Sequence, residues 1–205
     1  MTNNSGPHFG SGRIEVITGP MFAGKSEELI RRVKRSLIAR KHIQVFKSML
    51  DDRNGHIRQV ASHDGRTVAA TPIRTADEIL GSLDQDTEVV AIDEVQFLED
   101  SVLDVVTRLA DSGIIVIAAG IDTDYRGRPF GPMGKLLAIA ERVDKLSAVC
   151  IVCGEEATRN QRLVNGMPAS PDLPTIHVGA GEDYESRCRS CHVVPENVAD
   201  SAATA

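Results

Sequence analysis

Short apolar blocks recur along the first part of the chain, and each is followed by a stretch whose apolar residues fall at helical spacing. Ile14–Thr18, Ile43–Lys47, Val89–Ile92 and Ile114–Ala119 read as strands that are apolar on both faces, with a shorter strand at Thr67–Thr71. Between them, Lys25 to Arg40 reads as a helix, because Leu29, Ile30, Val33 and Leu37 share one side of it. Glu27 and Glu28 lie in its first turn and basic residues crowd its end, which suits the helix dipole. Further helices are predicted over Ala76–Leu83, Ser101–Asp111 and Lys135–Val143, and the segment SMLDDRNGHIRQVASHDGR reads as a polar loop. Strands buried on both faces and alternating with helices predict an α/β fold whose parallel-type sheet is covered by helices.

From Ala148 the pattern stops. Gly, Pro and polar residues dominate, and all the cysteines are found there. We therefore expect a boundary near Leu146, with one unit over 13–146 and a smaller one over 147–194. The polar ends, 1–12 and 195–205, read as disordered tails. With five Phe, two Tyr and no Trp, the core has to be built from Ile, Val, Leu and Ala.

A formal charge of −6 argues against a nucleic-acid polymer as main partner, since phosphate contacts need a basic surface. The basic run Arg31–Arg35 fits a solvated helix face or a subunit contact better. No basic stretch followed by an apolar one opens the chain, and Ile114–Ala119 is far too short to cross a bilayer. These features predict a cytoplasmic protein without membrane attachment.

The segment TGPMFAGKS has the spacing G-x4-G-K-[ST], directly after a predicted strand and at the start of a predicted helix. Gly19, Pro20, Met21, Phe22, Ala23, Gly24, Lys25 and Ser26 then form a phosphate-binding P-loop for ATP. Its glycines let backbone N–H groups turn toward phosphate oxygens, and the helix N-terminus adds positive potential. Lys25 is expected to reach the β- and γ-phosphates and Ser26 to coordinate Mg2+. The bland alternative, a Gly-rich turn that happens to precede a lysine, does not account for both flanks.

Two adjacent acids, Asp93 and Glu94, end the strand VVAID. Neighbours on a strand point to opposite faces, so the two carboxylates do not share a partner easily. Asp93 fits the acid that Mg2+ needs at the end of a neighbouring apolar strand. Glu94 is then free to handle a proton, from water in an ATPase or from a substrate hydroxyl in a kinase. A solvent-exposed acid at a strand end is the bland reading of Glu94.

Cys150 with Cys153, and Cys188 with Cys191, form two C-x2-C knuckles separated by 34 residues. Such a set in a cytosolic chain reads as a closed, tetrahedral, structural Zn2+ site rather than as disulfides. The metal would pin both ends of Gly154–Arg187 and make it a tethered lid. His177 and His192 are alternative ligands, but four thiolates already fill the shell.

With these parts in view, the chain closely resembles the thymidine kinases shared by bacteria and the vertebrate cytosol. The pieces that carry the resemblance are GPMFAGKS, DDR, SHD, AIDEVQF, IDTDYRGRPFG, AVCIVC and CRSCH, in order, over nearly all of Gly12–Cys191. The resemblance implies a RecA-like P-loop domain plus a small zinc-binding domain with a lasso loop. It implies transfer of the ATP γ-phosphate to the 5′-hydroxyl of thymidine, and deoxyuridine as a further substrate. It assigns Glu94 as the base for that hydroxyl, so Asp93 serves the metal and Glu94 the sugar. Gln96 is implied beside the nucleotide, Phe97 against the thymine, and Met21, Ile121, Tyr125 and Phe130 around the nucleoside. In the lasso it implies contacts from Ile176, His177, Val178, Gly179 and Tyr184. Asp51 matches an acid that reaches Mg2+-bound water, and Arg53 an arginine on the transferring phosphoryl group; its bland reading is a solvated loop charge. Homotetramers and inhibition by thymidine triphosphate (dTTP) are further family properties. The competing reading is a zinc-containing P-loop ATPase acting on nucleic acid, which would have no use for the short lasso with Tyr184. A nucleotide-binding scaffold without turnover is opposed by intact Lys25, Asp93 and Glu94.

Overall fold

The computed structural model describes residues 12–49, 58–62, 65–176 and 184–195. In chain order these form β1 (Arg13–Thr18), α1 (Lys25–Ile38), β2 (Ile43–Ser48), β3 (Gln59–Ala61), β4 (Thr67–Ala69), β5 (Thr71–Ile73) and α2 (Asp77–Gly81). Next come β6 (Val89–Asp93), a 3-10 turn (Val95–Phe97), α3 (Ser101–Asp111), β7 (Ile115–Gly120), α4 (Met133–Ile139) and β8 (Arg142–Lys145). The short strands β9 (Ala148–Val149), β10 (Glu156–Ala157), β11 (Arg159–Val164), β12 (Met167–Pro168) and β13 (Tyr184–Arg187) complete the described chain.

The central sheet has the order β5-β2-β6-β7-β1-β8, and every neighbouring pair is parallel. Alternation along its strands splits the core in two. Ile14, Val16, Val90, Ile92, Val116 and Ala118 face α2, α3 and α4, and pack with Val102, Val106 and Leu136. Ile17, Val89, Ala91, Ile117 and Ala119 face α1, meeting Leu29, Ile30 and Val33. This is the expected covered parallel sheet of a RecA-like fold. The strand bearing Asp93 is separated from β1 by β7.

Several expected boundaries move for identifiable reasons. Helix α1 stops at Ile38 because Arg40 turns left-handed (φ 57), which lets Lys41 N–H donate to Ser36 O at 3.0 Å. The stretch read as one strand at Thr67–Thr71 divides at Ala70. Its first half pairs antiparallel with β3, inside the supposed polar loop, and its second half adds to the edge of the sheet at β2. The helix expected over Lys135–Val143 ends at Ile139, where Ala140 becomes extended. Glu141 N–H donates to Ile14 O at 3.0 Å and the Glu141 carboxylate accepts from Ile14 N–H at 2.6 Å. These bonds steer the chain back beside β1 as β8. The helix over Ala76–Leu83 is shorter than expected, Asp77–Gly81.

The basic run on α1 is not a simple solvated face. Arg32 is 7% exposed and meets Glu15 at 2.7 Å, Glu28 at 2.8 Å and Asp144 at 2.5 Å. Glu15 is buried on β1, and an acid there needs a cation pointing inward from the helix that covers it. Among the described residues no helix is long and apolar enough to cross a membrane.

Candidate functional site

The site is built where β1 gives way to α1. Thr18 Oγ1 donates to Gly120 O at 3.0 Å and joins the ends of β1 and β7. Gly19 follows at φ 140, and a Cβ there would lie 2.3 Å from Leu146 O, so only glycine fits. Phe22 is left-handed (φ 64) and half-exposed, and Gly24 opens the helix at φ 80, ψ 20. Lys25 Nζ donates to Pro20 O at 2.7 Å, spanning the loop. Together with the N-terminus of α1 this makes a concave backbone turn of a shape and polarity able to hold a phosphate. A cleft of about 140 Å3 lies over it, lined by Met21, Phe22, Gly24, Lys25, Ser26, Glu27, Ala61, Ser62, Glu94 and Ile121.

Asp93, the last residue of β6, is 5% exposed and has the strand parity of Val89 and Ala91, which face α1. It is therefore directed to the side of the sheet that carries Ser26. Glu94 does not continue the alternation. It leaves the strand left-handed, at φ 55 and ψ 39, and so enters the same cleft as Lys25 and Ser26. A non-glycine residue in that region costs on the order of 1 kcal/mol, a strain that characteristically collects at working sites. Strand parity alone is thus not what gives the two acids different positions; the left-handed turn does.

Glu94 is held by Gln96. Gln96 is 2% exposed, and its Oε1 accepts from Ile121 N–H at 3.1 Å. That bond leaves Nε2 to donate to the Glu94 carboxylate, which it does in a short contact. The next loop presses on this residue: Gly131 is left-handed (φ 51), and a Cβ there would meet Gln96 O at 2.2 Å. The carboxylate is thereby oriented within the cleft. These contacts make Gln96 an orienting group for Glu94, compatible with the place beside the nucleotide that the resemblance implies.

Phe97 and Phe130 pack edge to face, with centroids 5.6 Å apart at 88°. They do not line the cleft over the P-loop, whereas Met21 and Ile121 do. Tyr125 is 3% exposed, and its hydroxyl is shared between the carbonyls of Ser170 and Leu173, each at 2.9 Å. Burial raises its phenol above the ordinary value, so it remains a donor at neutral pH. Arg126 and Arg162 stand over its ring, at 4.4 and 5.4 Å from the centroid. Arg126 also donates to Pro171 O at 2.7 Å, Thr175 Oγ1 at 2.8 Å and the Leu173 carbonyl, while Arg162 donates to Pro174 O at 2.8 Å. The three side chains grip Ser170–Thr175, the approach to the lasso. Ile176 is 45% exposed, and Tyr184 is half-buried at the start of β13. Asp51, Arg53, His177, Val178 and Gly179 lie outside the described residues.

The sulfurs of Cys150, Cys153, Cys188 and Cys191 all lie within 4.8 Å of one another. Cys153 Sγ and Cys188 Sγ are 3.7 Å apart, and all four cysteines are free. That spacing is too long for a disulfide and close to the edge of a sulfur tetrahedron around zinc, whose Zn–S bonds are about 2.3 Å. N–H groups of Cys188, Cys153 and Val152 hold the Cys150 thiol down at about 6. The Cys153 and Cys188 thiols push Cys191 up to about 12. The chemistry of the set fits a divalent, thiophilic ion. His192 is not among the clustered ligands; its Nε2–H donates to Tyr125 O at 2.8 Å.

Arg126, Asn160, Arg162 and Ser186 were missed in the sequence. The signal for two of them was the polar strand RNQRLV, in which Asn160, Gln161 and Arg162 are all buried. A profile described as thymidine kinase matches residues 12–192. The crystal structure of domain III of the Thermotoga maritima replication initiation protein DnaA is similar at 16% identity and a TM-score of 0.41. That similarity covers 68% of this chain and 56% of that one, and is too distant to bear on function.

Proposed function

This chain belongs to the thymidine kinase family, and we propose that it transfers the γ-phosphate of ATP to the 5′-hydroxyl of thymidine, giving dTMP and ADP in nucleotide salvage. The observation that carries this reading is the Glu94 carboxylate, which shares a cleft with Lys25 and Ser26 and is oriented by Gln96. A base beside a phosphate cradle suits a hydroxyl nucleophile.

In this scheme Glu94 takes the 5′-OH proton as the oxygen bonds to the γ-phosphorus and the bond to the ADP oxygen breaks. Lys25 and the loop N–H groups hold the phosphates, and Ser26 and Asp93 would hold Mg2+, which neutralises charge developing on the phosphoryl oxygens. Asp51 and Arg53 are proposed to assist at the metal-bound water and the phosphoryl group. Met21, Phe97, Ile121, Tyr125 and Phe130, with Ile176, His177, Val178, Gly179 and Tyr184 of the lasso, are proposed around the nucleoside. Deoxyuridine is an expected weaker substrate, since a fitted methyl is worth roughly 1 kcal/mol. We take 13–146 as the nucleotide-binding domain and 147–194 as a zinc and lasso domain. A cytoplasmic homotetramer inhibited by dTTP completes the proposal.

Thin-layer analysis of labelled thymidine incubated with Mg·ATP tests it: a labelled monophosphate is expected. ATP hydrolysis that ignores thymidine and responds to DNA would favour the zinc-containing ATPase and overturn this reading.

A further inference from the structure

The phosphate loop is fastened to the cysteine-bearing region at one residue, from both sides. Met21 N–H donates to Asn160 Oδ1 at 2.7 Å, and Met21 O accepts from Ser186 Oγ at 2.9 Å. Asn160 lies on β11 and Ser186 on β13, and the two are direct partners in the antiparallel ladder. They are 3% and 2% exposed, so both bonds are largely shielded from bulk water on the hairpin side. Asn160 Nδ2 donates onward to Thr123 O at 3.0 Å, in the loop after β7. One rung of a two-stranded ladder thus holds the loop beneath the phosphates and the loop before Tyr125.

The same rung is close to both other functions of the hairpin. Tyr184 is two residues before Ser186 on β13 and so shares its face. Ser186 O accepts from Ile151 N–H at 3.2 Å, inside the first cysteine knuckle. The next residue but one after Ser186 is Cys188. On the other side, Met21 is flanked by Gly19 and by left-handed Phe22 and Gly24, a loop with several backbone conformations open to it when nothing pins it.

We infer that Asn160 and Ser186 are positioning residues that couple the two substrate sites, so that nucleoside and nucleotide bind with positive cooperativity. This rests on the proposed thymidine kinase reading. A nucleoside contacting the hairpin at Tyr184 restrains the rung, and the rung restrains Met21; the cost of ordering the loop is then met once for both ligands. Coupling of this kind is reciprocal, so each ligand raises the affinity of the other by the same factor.

Calorimetry with thymidine and the Mg complex of β,γ-imido-ATP, which does not turn over, tests the inference in the zinc-loaded protein. In the unaltered chain thymidine is expected to tighten imido-ATP about five-fold or more, and the reverse titration to give the same factor. Ser186→Ala removes one hydroxyl and should bring both factors close to one, with each ligand still binding alone. Ser186→Thr keeps the hydroxyl and should restore the coupling. Asn160→Ala should also abolish it and speed hydrogen exchange at the Met21 amide; if that variant does not fold, Ser186→Ala carries the test. Undiminished coupling in folded Ser186→Ala overturns the inference. Independent binding of both ligands to the unaltered chain also overturns it while leaving the kinase reading intact. Failure of that chain to bind thymidine at all refutes the kinase reading, and this inference with it.

Discussion

The sheet region up to Lys145 and the region from Ala148 onward are held together by different forces. The first buries Ile, Val, Leu, Met and Phe side chains on both faces of a parallel sheet. In the second, the buried apolar residues are small: Cys150, Ala157 and Ala169. Among the described residues the larger ones are not fully buried: Val149, Ile151, Val152, Val164, Met167, Ile176 and Val193 are exposed, and Leu163, Leu173 and Val194 are half-buried. What is buried there instead is polar: Asn160, Gln161, Arg162 and Ser186. Gln161, for example, binds the backbone of Val193 twice, accepting from its N–H at 2.8 Å and donating to its carbonyl at 2.9 Å. A segment whose described aliphatic side chains are at best half-buried needs staples, and here they are the four sulfurs and a set of side chain-to-backbone hydrogen bonds.

The most severe way to break this contrast is to empty the four-cysteine set of the zinc proposed for it. Structural zinc in small domains supplies on the order of 10 kcal/mol of apparent folding free energy. Chelation, or Cys153→Ala, should unfold the region from Ala148 while the sheet survives. Limited proteolysis should then cut within 154–187, and thymidine binding should be lost. ATP binding should weaken less, though measurably, because Met21 loses Asn160 and Ser186. Metal analysis near zero, with four titratable thiols and full activity, would remove zinc from the account.

The chemistry of the sheet region is tested by Glu94→Gln. The variant keeps its size and loses its proton acceptor, so kcat should fall roughly a hundredfold or more. Thymidine and ATP should still bind, since neither the loop nor the hairpin is altered. Near-normal turnover at saturating thymidine would show that another group takes the proton.

These two regions also differ in how far they could be read before any coordinates. The buried strands β1, β6 and β7 and the helix α3 are evident from their apolar runs and periodicity, because burial is what forms them. Strand β8 was hidden: its residues RVDK are mostly exposed, it lies at the sheet edge, and its place is set by the bonds between Glu141 and Ile14. The strands after Ala148 were hidden for the same reason, since hydrogen bonds leave no periodic apolar signature. In the site, motif spacing carried Gly19, Lys25, Ser26 and the cysteines. It said nothing of the left-handed turn at Glu94, of the Gln96 bond beside it, or of the close approach of Gly131 to Gln96.

A milder test addresses the polar scaffold of the second region. Arg126 donates to two lasso-base carbonyls and to Thr175, and also pairs with Asp124 at 3.0 Å. Bonds to charged groups contribute about 1.5–3 kcal/mol each, so Arg126→Ala should raise the thymidine KM tens-fold. The ATP KM should change several-fold less. Arg126→Lys should not rescue it, because a single ammonium cannot reproduce the guanidinium fork. Equal losses for both substrates would point to general destabilisation instead.

The smallest expected effect concerns a place where the sheet region is held by polar contacts as well as by burial, the ionic knot around Arg32. The hydrogen bond from Arg31, with help from Arg32, lowers the Glu28 carboxyl below its usual value of 4.5. In Asp144 burial pushes the other way, but the bond from Arg32 prevails and lowers it too. A carboxyl depressed in the folded state adds stability that is fully present above its unfolded value and is lost as pH falls through the folded one. Glu28→Gln should therefore lower Tm at pH 7, by a few degrees at most, since exposed and half-exposed ion pairs are worth roughly 1 kcal/mol or less. The gap between the two proteins should narrow once the pH drops below about 4.5 and close below the folded value. Thermal melts of both chains from pH 7 to pH 3 measure that gap directly, and other titrating groups cancel in the difference. A constant gap across the range would mean that Glu28 acts by packing rather than by charge. At this knot the sheet region would then rely on packing, and its contrast with the polar region after Ala148 would be sharper than the ion pairs suggest.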